Sequence, residues 1–303
     1  MFTNRWFPQR FTSPLLVGLL VSWLSAPGAV AAPSLTATTH EADADFDYIG
    51  GATTHAGGDK VGSMEELNAD FRYVMSPQVS KRFVLRLGGE WQRSSLGVPH
   101  NTPLPDTLQE LSAIVGTDCQ LTDHWLLHAE VQPGFYSDFD DLTWRDVDAP
   151  FVLSAAYIAN ADFQWFAGLR VDLYSHYPVW PALGMRWKYA DDWTLNLVPP
   201  NPRLEYDLNE RLKLYLGGRI MGGTFRVGDQ FGDEHSQPRF NHALLDRYEV
   251  TVGPGLTWKI RPNMTFGFEA GYMVYREFNY FHQHFVIRSD PAPYARIAWH
   301  ARF

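Results

Sequence analysis

The chain has 303 residues, a single cysteine and a formal net charge of −9, and these values exclude several classes of protein. An acidic chain without clustered basic residues is a poor partner for nucleic acid, so we expect no nucleic-acid binding. The lone Cys119 excludes an intramolecular disulfide and cysteine-pair metal sites. The mean hydropathy is −0.25, yet aromatic residues make up 15% of the chain. This combination is typical of a transmembrane barrel, in which alternation hides the apolar half of each strand.

The first residues have the three parts of a secretory signal peptide. Arg5 and Arg10 precede the apolar run PLLVGLLVSWL, and Ala29 and Ala31 then form a small-x-small cleavage pattern. We predict a signal peptide over residues 1–31 and a mature domain over residues 32–303. The apolar run is too short for a permanent membrane helix, and no other stretch is long and apolar enough to form one.

Apolar and polar residues then alternate in segment after segment, as in RFVLRLGGEW, RYEVTVGPGLTWKI and NMTFGFEAGYMVY. A period of two places alternate side chains on opposite faces of a strand. We therefore predict an all-β fold, a transmembrane antiparallel up-and-down β-barrel. The predicted strands lie near 42–50, 65–75, 81–92, 109–121, 124–136, 151–159, 163–174, 182–189, 193–198, 202–208, 211–226, 246–260, 263–279 and 294–303. These are about 14 strands, or about 12 if the short pair 193–198 and 202–208 is a hairpin that does not span the membrane.

The connections between these segments alternate between short and long. With both termini in the periplasm, the inner turns are SPQVS, TD, NAD, ADD, NE and RP. The predicted outer loops include 93–108, 137–150, 227–245 and 280–293, and only the connection at 199–201 is short on the outer side. Short periplasmic turns and longer outer loops are typical of outer-membrane barrels.

Outward aromatic residues are predicted at two levels, which is typical of the two membrane interfaces. The inner level contains Trp125, Trp165, Trp187, Tyr189, Trp193, Trp258 and Phe303, and the outer level contains Tyr48, Trp91, Phe135, Tyr248, Phe278 and Tyr280. The chain ends in YARIAWHARF, an alternating strand with a terminal aromatic residue. We interpret Trp299 and Phe303 as an assembly signal recognised by the barrel-assembly machinery. Outer-membrane lipid and lipopolysaccharide are the other expected partners.

The polar faces of the strands carry similar numbers of basic and acidic residues. The predicted lumen-lining residues are Arg82, Arg86, Glu90, Arg170, Asp172, Arg186, Arg203, Glu205, Arg219, Arg247, Glu249, Lys259 and Glu269. Balanced charges favour cross-strand pairs that brace the wall, with a weakly selective channel as the alternative. The acidic outer segments SDFDDLTWRDVDAP and VGDQFGDEHSQP lack the ligand spacing of a calcium loop, so we favour solvated loops over divalent-cation binding and predict no metal and no cofactor.

A lipid-hydrolysing barrel enzyme needs a serine and a histidine side by side. His128 and Ser112 share the polar face of neighbouring predicted strands, but a turn at Thr122–Asp123 sets Asp118 opposite His128. Ser112 would then lie about 20 Å away, whereas a nucleophile and its base must approach to about 3 Å. No sequence motif of a known catalytic site is present either, so we predict no catalytic residues.

The stretch PNPRLEYDLNERLKLYLGGRIMGGTFRV, followed by LLDRYEVTVGPGL and FEAGYMVYREFNY, resembles a family of outer-membrane β-barrels known as a domain of unknown function, DUF6268. The likeness is good after Pro200 and extends only to the strand pattern before it. It implies the barrel fold and the outer membrane of a Gram-negative-type bacterium, and no activity.

Our first hypothesis is an integral outer-membrane barrel that acts as a passive channel, as a transporter of small solutes or as a structural part of the envelope. The alternatives are a barrel enzyme that modifies lipid or lipopolysaccharide and a soluble periplasmic β-sandwich that binds a ligand. Outward aromatic rings argue against the sandwich, because they would leave large apolar patches in water.

Overall fold

A single antiparallel sheet closes on itself to form a barrel of 14 strands, as predicted. The computed structural model describes residues 38–99 and 102–303, so the predicted signal peptide at 1–31 lies outside the described residues. The strand segments are β1 Thr38–Ala56, β2 Asp59–Ser80, β3 Phe83–Gly97, β4 Thr107–Gln120, β5 Trp125–Val131, β6 Gly134–Ser137, β7 Val147–Asp148, β8 Phe151–Ile158, β9 Phe163–Val171, β10 Val179–Lys188, β11 Trp193–Asn196, β12 Arg203–Asp207, β13 Leu212–Arg226, β14 Leu244–Arg261, β15 Met264–Tyr280, β16 Phe285–Ser289 and β17 Ala292–Arg302.

Three of the 14 barrel strands are each interrupted once, which is why the chain has 17 strand segments. β5 and β6 both pair with β4, β7 and β8 continue one another, and β16 and β17 both pair with β1 and β15. The ring closes between β1 and β17, in register from Glu41 opposite Arg302 to Ile49 opposite Tyr294. The β-sandwich hypothesis is wrong, because there is one closed sheet and not two packed sheets.

Alternation along the strands separates an apolar outer surface from a charged interior. On β15, Phe268 is 42% exposed on the outside, and its neighbour Glu269 is 8% exposed on the inside. On β14, Val252 is exposed on the outside, and Glu249 is buried on the inside. The register of these strands is therefore the predicted one.

Two outer connections are much shorter than predicted. β1 continues to Ala56 and turns directly into β2 at Gly57 and Gly58, which both have positive φ angles. A left-handed backbone at two consecutive residues favours glycine, and this makes the tight hairpin possible. The predicted long loop 280–293 is also wrong, because a short 3-10 turn over Phe281–Gln283 leads back into the sheet at Phe285.

A β-bulge near the outer end of β15 reverses which side chains face inward. The pairing with β14 shifts between Met273 and Tyr275, so Val274 is the extra residue. Beyond the bulge, Phe278 and Tyr280 are fully buried inside the barrel. Their predicted places in the outer aromatic ring were therefore wrong, because one inserted residue moves every later side chain to the opposite face.

The strands on one side of the barrel are short. β11 and β12 have few residues, but they pair with β10 and β13 and complete the ring, so the twelve-strand alternative is wrong. The α-helical and 3-10 segments among the described residues are single turns, such as α1 at Phe231–Glu234. None of the described helices is long and apolar enough to cross a membrane.

The outer end of the barrel is filled by an apolar group that we call the outer core. Its residues come from the inner faces of β2, β3, β4, β6, β13, β14, β15 and β16 and from the long outer loops. The outer core comprises Met64, Leu96, Leu104, Leu108, Tyr136, Phe225, Val227, Phe231, Phe240, Ala243, Leu245, Phe278, Tyr280 and Ile287. Burial of this many large apolar side chains gives the loops a fixed place over the barrel end.

The barrel interior as the candidate functional site

The structure places most of the predicted lumen residues on the inner face of the barrel. Those with little exposure are Arg86, Glu90, Asp172, Arg186, Arg203, Glu205, Arg219, Glu249 and Glu269. Arg170, Lys259 and Arg247 line the interior cavity. Arg82 differs from the prediction, because it lies in the exposed turn between β2 and β3 and donates to the carbonyl of Leu121 at 3.3 Å. The strand begins only at Phe83, so Arg82 has no place on the inner face.

The predicted assembly residues lie on the closing strand. Trp299 is directed outward, opposite Ala44 of β1 and Phe266 of β15. Phe303 is 61% exposed, and its backbone exchanges two hydrogen bonds of 2.9 Å with His40. The last residue is therefore part of the ladder that closes the ring.

Ion pairs between adjacent strands brace the inner wall near the closure. Arg296 of β17 pairs with Asp45 of β1 and lies 3.8 Å from Glu269 of β15. His300 hydrogen-bonds Asp43 at 2.6 Å across the same junction. Such pairs are the cross-strand bracing that the balanced charges favoured.

Other ion pairs join strands that are not neighbours, and we call these the transverse ion pairs. Arg219 on β13 pairs with Asp47 on β1, although β14, β15 and β17 lie between these strands in the sheet. Asp47 also accepts a 2.8 Å hydrogen bond from Asn68. The partners meet because the inner faces of opposite walls approach each other, so this side of the barrel is filled rather than open.

Glu66 of β2 is a buried carboxylate that pairs with two arginines from other strands. It accepts from Arg276 at 2.9 Å and pairs with Arg247 on a third strand. Both Glu66 and Arg276 are buried, and Arg276 also donates to the carbonyl of Met64 at 3.2 Å. A buried charge is tolerated only with such complete pairing, so these contacts fix the distance between the walls.

A second group of transverse pairs lies toward the inner end. Arg72 of β2 donates to Glu130 of β5 at 2.8 Å, and Arg86 of β3 lies 3.7 Å from the same carboxylate. Arg86 also lies 3.6 Å from Glu41 and from Asp118. This network links β1 through β5 across the barrel interior.

The serine and histidine weighed for catalysis are held apart in this network. Asp118 is opposite His128 and hydrogen-bonds it at 2.6 Å, whereas Ser112 is opposite Gly134 and donates to Glu110 at 2.7 Å. The predicted register is therefore correct. His128 and Ser112 do not form a nucleophile and base pair, and in the described residues no group of three or more His, Cys, Asp or Glu is arranged to hold a metal ion.

The rest of the interior is a cavity of about 2330 Å³, displaced toward β8–β13. At the inner end it is lined by Lys188, Lys259 and Arg302, and it reaches the inner turns at Glu210 and Asn263. Further along it is lined by Asp70, Glu90 and other charged residues of both signs. Drug-sized pockets have volumes of about 300–1,000 Å³, so this space is large enough for a small solute with its water.

One acid in the outer loops has an unusual ionisation. Asp138, in the connection between β6 and β7, is 3% exposed and accepts from the backbone of Gly228 at 2.7 Å. Burial raises the pKa of Asp138 to about 6, and repulsion from Asp140 and Asp146 acts in the same direction. The two hydrogen bonds from the backbone of Gly228 and Asp140 oppose the shift without cancelling it. Asp138 therefore links two outer loops in a way that responds to pH.

Two residues that dominate the interior were missed from the sequence. Glu66 lies within the predicted strand 65–75 and has the same parity as Asp70 and Arg72, so the period-two pattern alone could have included it. Arg276 faces inward only because of the bulge at Val274, which leaves no reliable trace in a period-two pattern.

A family model described as "Domain of unknown function (DUF6268)" matches residues 77–287. No curated protein matches the chain. The chain is similar to an outer membrane channel from Pseudomonas putida F1, with 11% identity, 92% of this chain and 99% of that chain covered, and a TM-score of 0.46.

Two other solved structures are similar at the same level. For the NanC porin the identity is 9%, the coverage is 85% of this chain and 98% of that chain, and the TM-score is 0.39. For the Pseudomonas putida toluene transporter TodX the identity is 9%, the coverage is 94% and 92%, and the TM-score is 0.39.

Proposed function

The chain belongs to the DUF6268 family, a domain of unknown function, and from that premise we propose that it is an integral barrel of the bacterial outer membrane that lets small solutes pass. The observation that supports the proposal is a large cavity, lined by charged residues among others, inside a closed barrel whose outer surface is apolar. A soluble protein would not expose such a surface to water, whereas a lipid bilayer covers it.

The interior favours a narrow path over a wide water-filled pore. The transverse ion pairs fill one side of the barrel, and the outer core fills the outer end. The lining of the remaining cavity has both signs of charge, for example Arg186 and Lys188 beside Asp70 and Glu110. A strongly selective pore carries an excess of one sign, so we expect low conductance with weak preference between cations and anions.

Planar-bilayer recording with a panel of solutes tests this proposal. The purified barrel should give small ion currents and a reversal potential near zero in a salt gradient. Fractionation should place the protein in the outer membrane, with altered gel migration before and after boiling. Absence of any ion or solute flux through a correctly folded barrel would overturn the channel function and favour a structural role in the envelope.

Assembly is part of the same proposal. The outward Trp299 and Phe303 on the closing strand support recognition by the barrel-assembly machinery. The apolar outer surface supports contact with outer-membrane lipid and lipopolysaccharide. Within residues 38–99 and 102–303, no specific contact favours an enzyme that modifies lipid or lipopolysaccharide.

A further inference from the structure

The barrel wall is interrupted along one edge of β13, near its outer end. The segment before β12 contacts this edge as far as Ile220, whose N–H donates to the carbonyl of Pro200 at 2.8 Å. The next backbone contact is at Arg226, whose carbonyl accepts from the N–H of Asp138 at 3.3 Å. Between them, over residues 221–225, no strand in the described part of the chain pairs with this edge.

The interior cavity passes around this free edge. Met221, on the inner face of β13, and Ile220, on its outer face, line the same cavity. Across the gap, Ala182 on the inner face of β10 and Leu183 on its outer face also line it. The cavity is thus lined by residues of both faces at the place where the edge of β13 is unpaired. We call the gap the lateral window, which lies between residues 221–225 of β13 and 180–184 of β10.

The lateral window opens at the level of the outer membrane interface. Gly222 pairs with Tyr248 of β14, one of the residues of the outer aromatic ring. A belt of outward aromatic residues around a barrel marks the depth at which the hydrocarbon core of the membrane meets the headgroups. Unpaired backbone groups facing hydrocarbon would each cost several kcal/mol, so this edge is stable only beside water or a polar solute in the cavity.

The rim and the interior of the lateral window differ in chemistry. On the rim, Leu183 is 79% exposed, and Trp180 of β10 reaches across the window to stack on Tyr248 of β14 with the ring centroids 5.7 Å apart. Behind the rim, Arg170 and Asp172 line the cavity. An apolar rim that leads to a charged interior suits a molecule with an apolar body and a polar group.

We propose that amphipathic small molecules pass sideways from the outer leaflet through the lateral window into the cavity and leave at the inner mouth. This inference rests on the proposed channel function and names its substrate class and route. The outer core closes the axial route from the external water, and the window is open to the interface where amphipathic molecules concentrate. The inner mouth, lined by Lys188 and Lys259, then releases them to the periplasm.

A hydrogen-bonded strap holds the outer end of the window. The connection between β9 and β10 lies across β14, where Asp246 accepts from the hydroxyl of Ser175 at 3.1 Å and the backbone of His176 at 2.9 Å. Asp246 also accepts from the hydroxyl of Thr224 on β13 at 2.8 Å. Asp246 therefore joins the strap to β13 at the outer end of the window.

The first experiment narrows the window from both rims. Ile220→Trp with Leu183→Trp adds bulk on the two sides, and Leu214→Trp with Leu216→Trp is the matched control on the outward face of the paired part of β13. Host cells that produce each variant are mixed with phenylnaphthylamine, which has an apolar aromatic body and one polar N–H group, and uptake is measured as the amount that reaches the inner membrane after the two membranes are separated. Uptake should fall to the level of cells without the protein for the window variant and stay at the wild-type level for the control.

The second experiment keeps the test valid if the window variant fails to fold. Leu183→Cys with Ile220→Cys, in a Cys119→Ser background, is joined across the window by a short cleavable thiol cross-linker after assembly. Uptake of the amine should stop on cross-linking and return on reduction, whereas the single-cysteine variants should not respond.

Ion currents in planar bilayers separate the two levels of the proposal. If the protein conducts ions but neither window closure changes amine uptake, the lateral route is wrong and the channel function stands. If the protein promotes neither ion flux nor amine uptake, the channel function fails with it.

Discussion

The outward face of β14 offers the sharpest test of how the barrel sits in lipid. Tyr248 and Trp258 lie at the two ends of this face, with Val252 between them. At about 3.3 Å per residue and a tilt of about 40°, the stretch between the two aromatic residues spans about 25 Å along the membrane normal, which matches the apolar band of such barrels. Val252, which is 42% exposed, therefore lies close to the middle of the bilayer.

Replacing Val252 with arginine should be far more harmful than the same change at the edge of the band. An arginine on the lipid face costs about 2–4 kcal/mol at the midplane and about 0–1 kcal/mol near the interface. Ile260 is the matched control, because it is 40% exposed on the same face of the same strand but lies beyond Trp258. Val252→Arg should thus lose about 2–3 kcal/mol more unfolding free energy than Ile260→Arg.

The assay is reversible refolding into lipid vesicles in a urea series, followed by tryptophan fluorescence and by gel migration without boiling. Both variants must also be compared in detergent micelles, which have no bilayer midplane. There the difference in unfolding free energy between Val252→Arg and Ile260→Arg should be smaller. Equal losses in vesicles, or a larger loss for Ile260→Arg, would refute the assignment of this face to lipid at the stated depth.

Three further outcomes follow from the described contacts. Phe303→Asp should leave precursor in the periplasm, because the exposed terminal ring on the closing strand is lost; normal outer-membrane yield in fractionation would contradict this. Arg276→Met should lower the unfolding free energy by about 3–5 kcal/mol, because Glu66 loses a buried partner, and adding Glu66→Leu should restore much of it in urea titrations. The raised pKa of Asp138 favours its protonated form in the folded loops, so loop stability is full below about pH 4 and declines as the pH rises through about 6, by at most about 3 kcal/mol. Hydrogen exchange of the outer loops, corrected for intrinsic rates, should show this decline in the wild type and a weaker one in Asp138→Asn; equal profiles would argue against the shift.

Whether a side chain faces lipid or the interior could be predicted wherever each face of a strand has the same surroundings along its whole length. Phe268 and Glu269 lie on the predicted sides, because lipid on one side and charged neighbours on the other select one register. The positions of Asp118 and His128 followed from a single turn, since a hairpin fixes the pairing of both strands.

Sequence periodicity failed where surroundings change along one strand. Phe278 and Tyr280 are apolar residues that face inward, because the outer end of the interior is an apolar core and not a charged lumen. The lateral window was also beyond prediction, because it depends on where β12 stops relative to β13 and not on any property of residues 221–225 alone. Which arginine meets which carboxylate across the interior is equally non-local, as in Arg219 and Asp47.

The transverse ion pairs determine when the interior charges become useful during assembly. Arg219 and Asp47 are far apart in the sequence, and so are Arg276 and Glu66. The two residues of each pair come within reach of one another only after β1 joins β17. In an open sheet these groups would remain separated and hydrated, so they would hold no partly formed wall together. Their attraction appears only with the completed ring, so a barrel that lacks one strand is without this part of its stability.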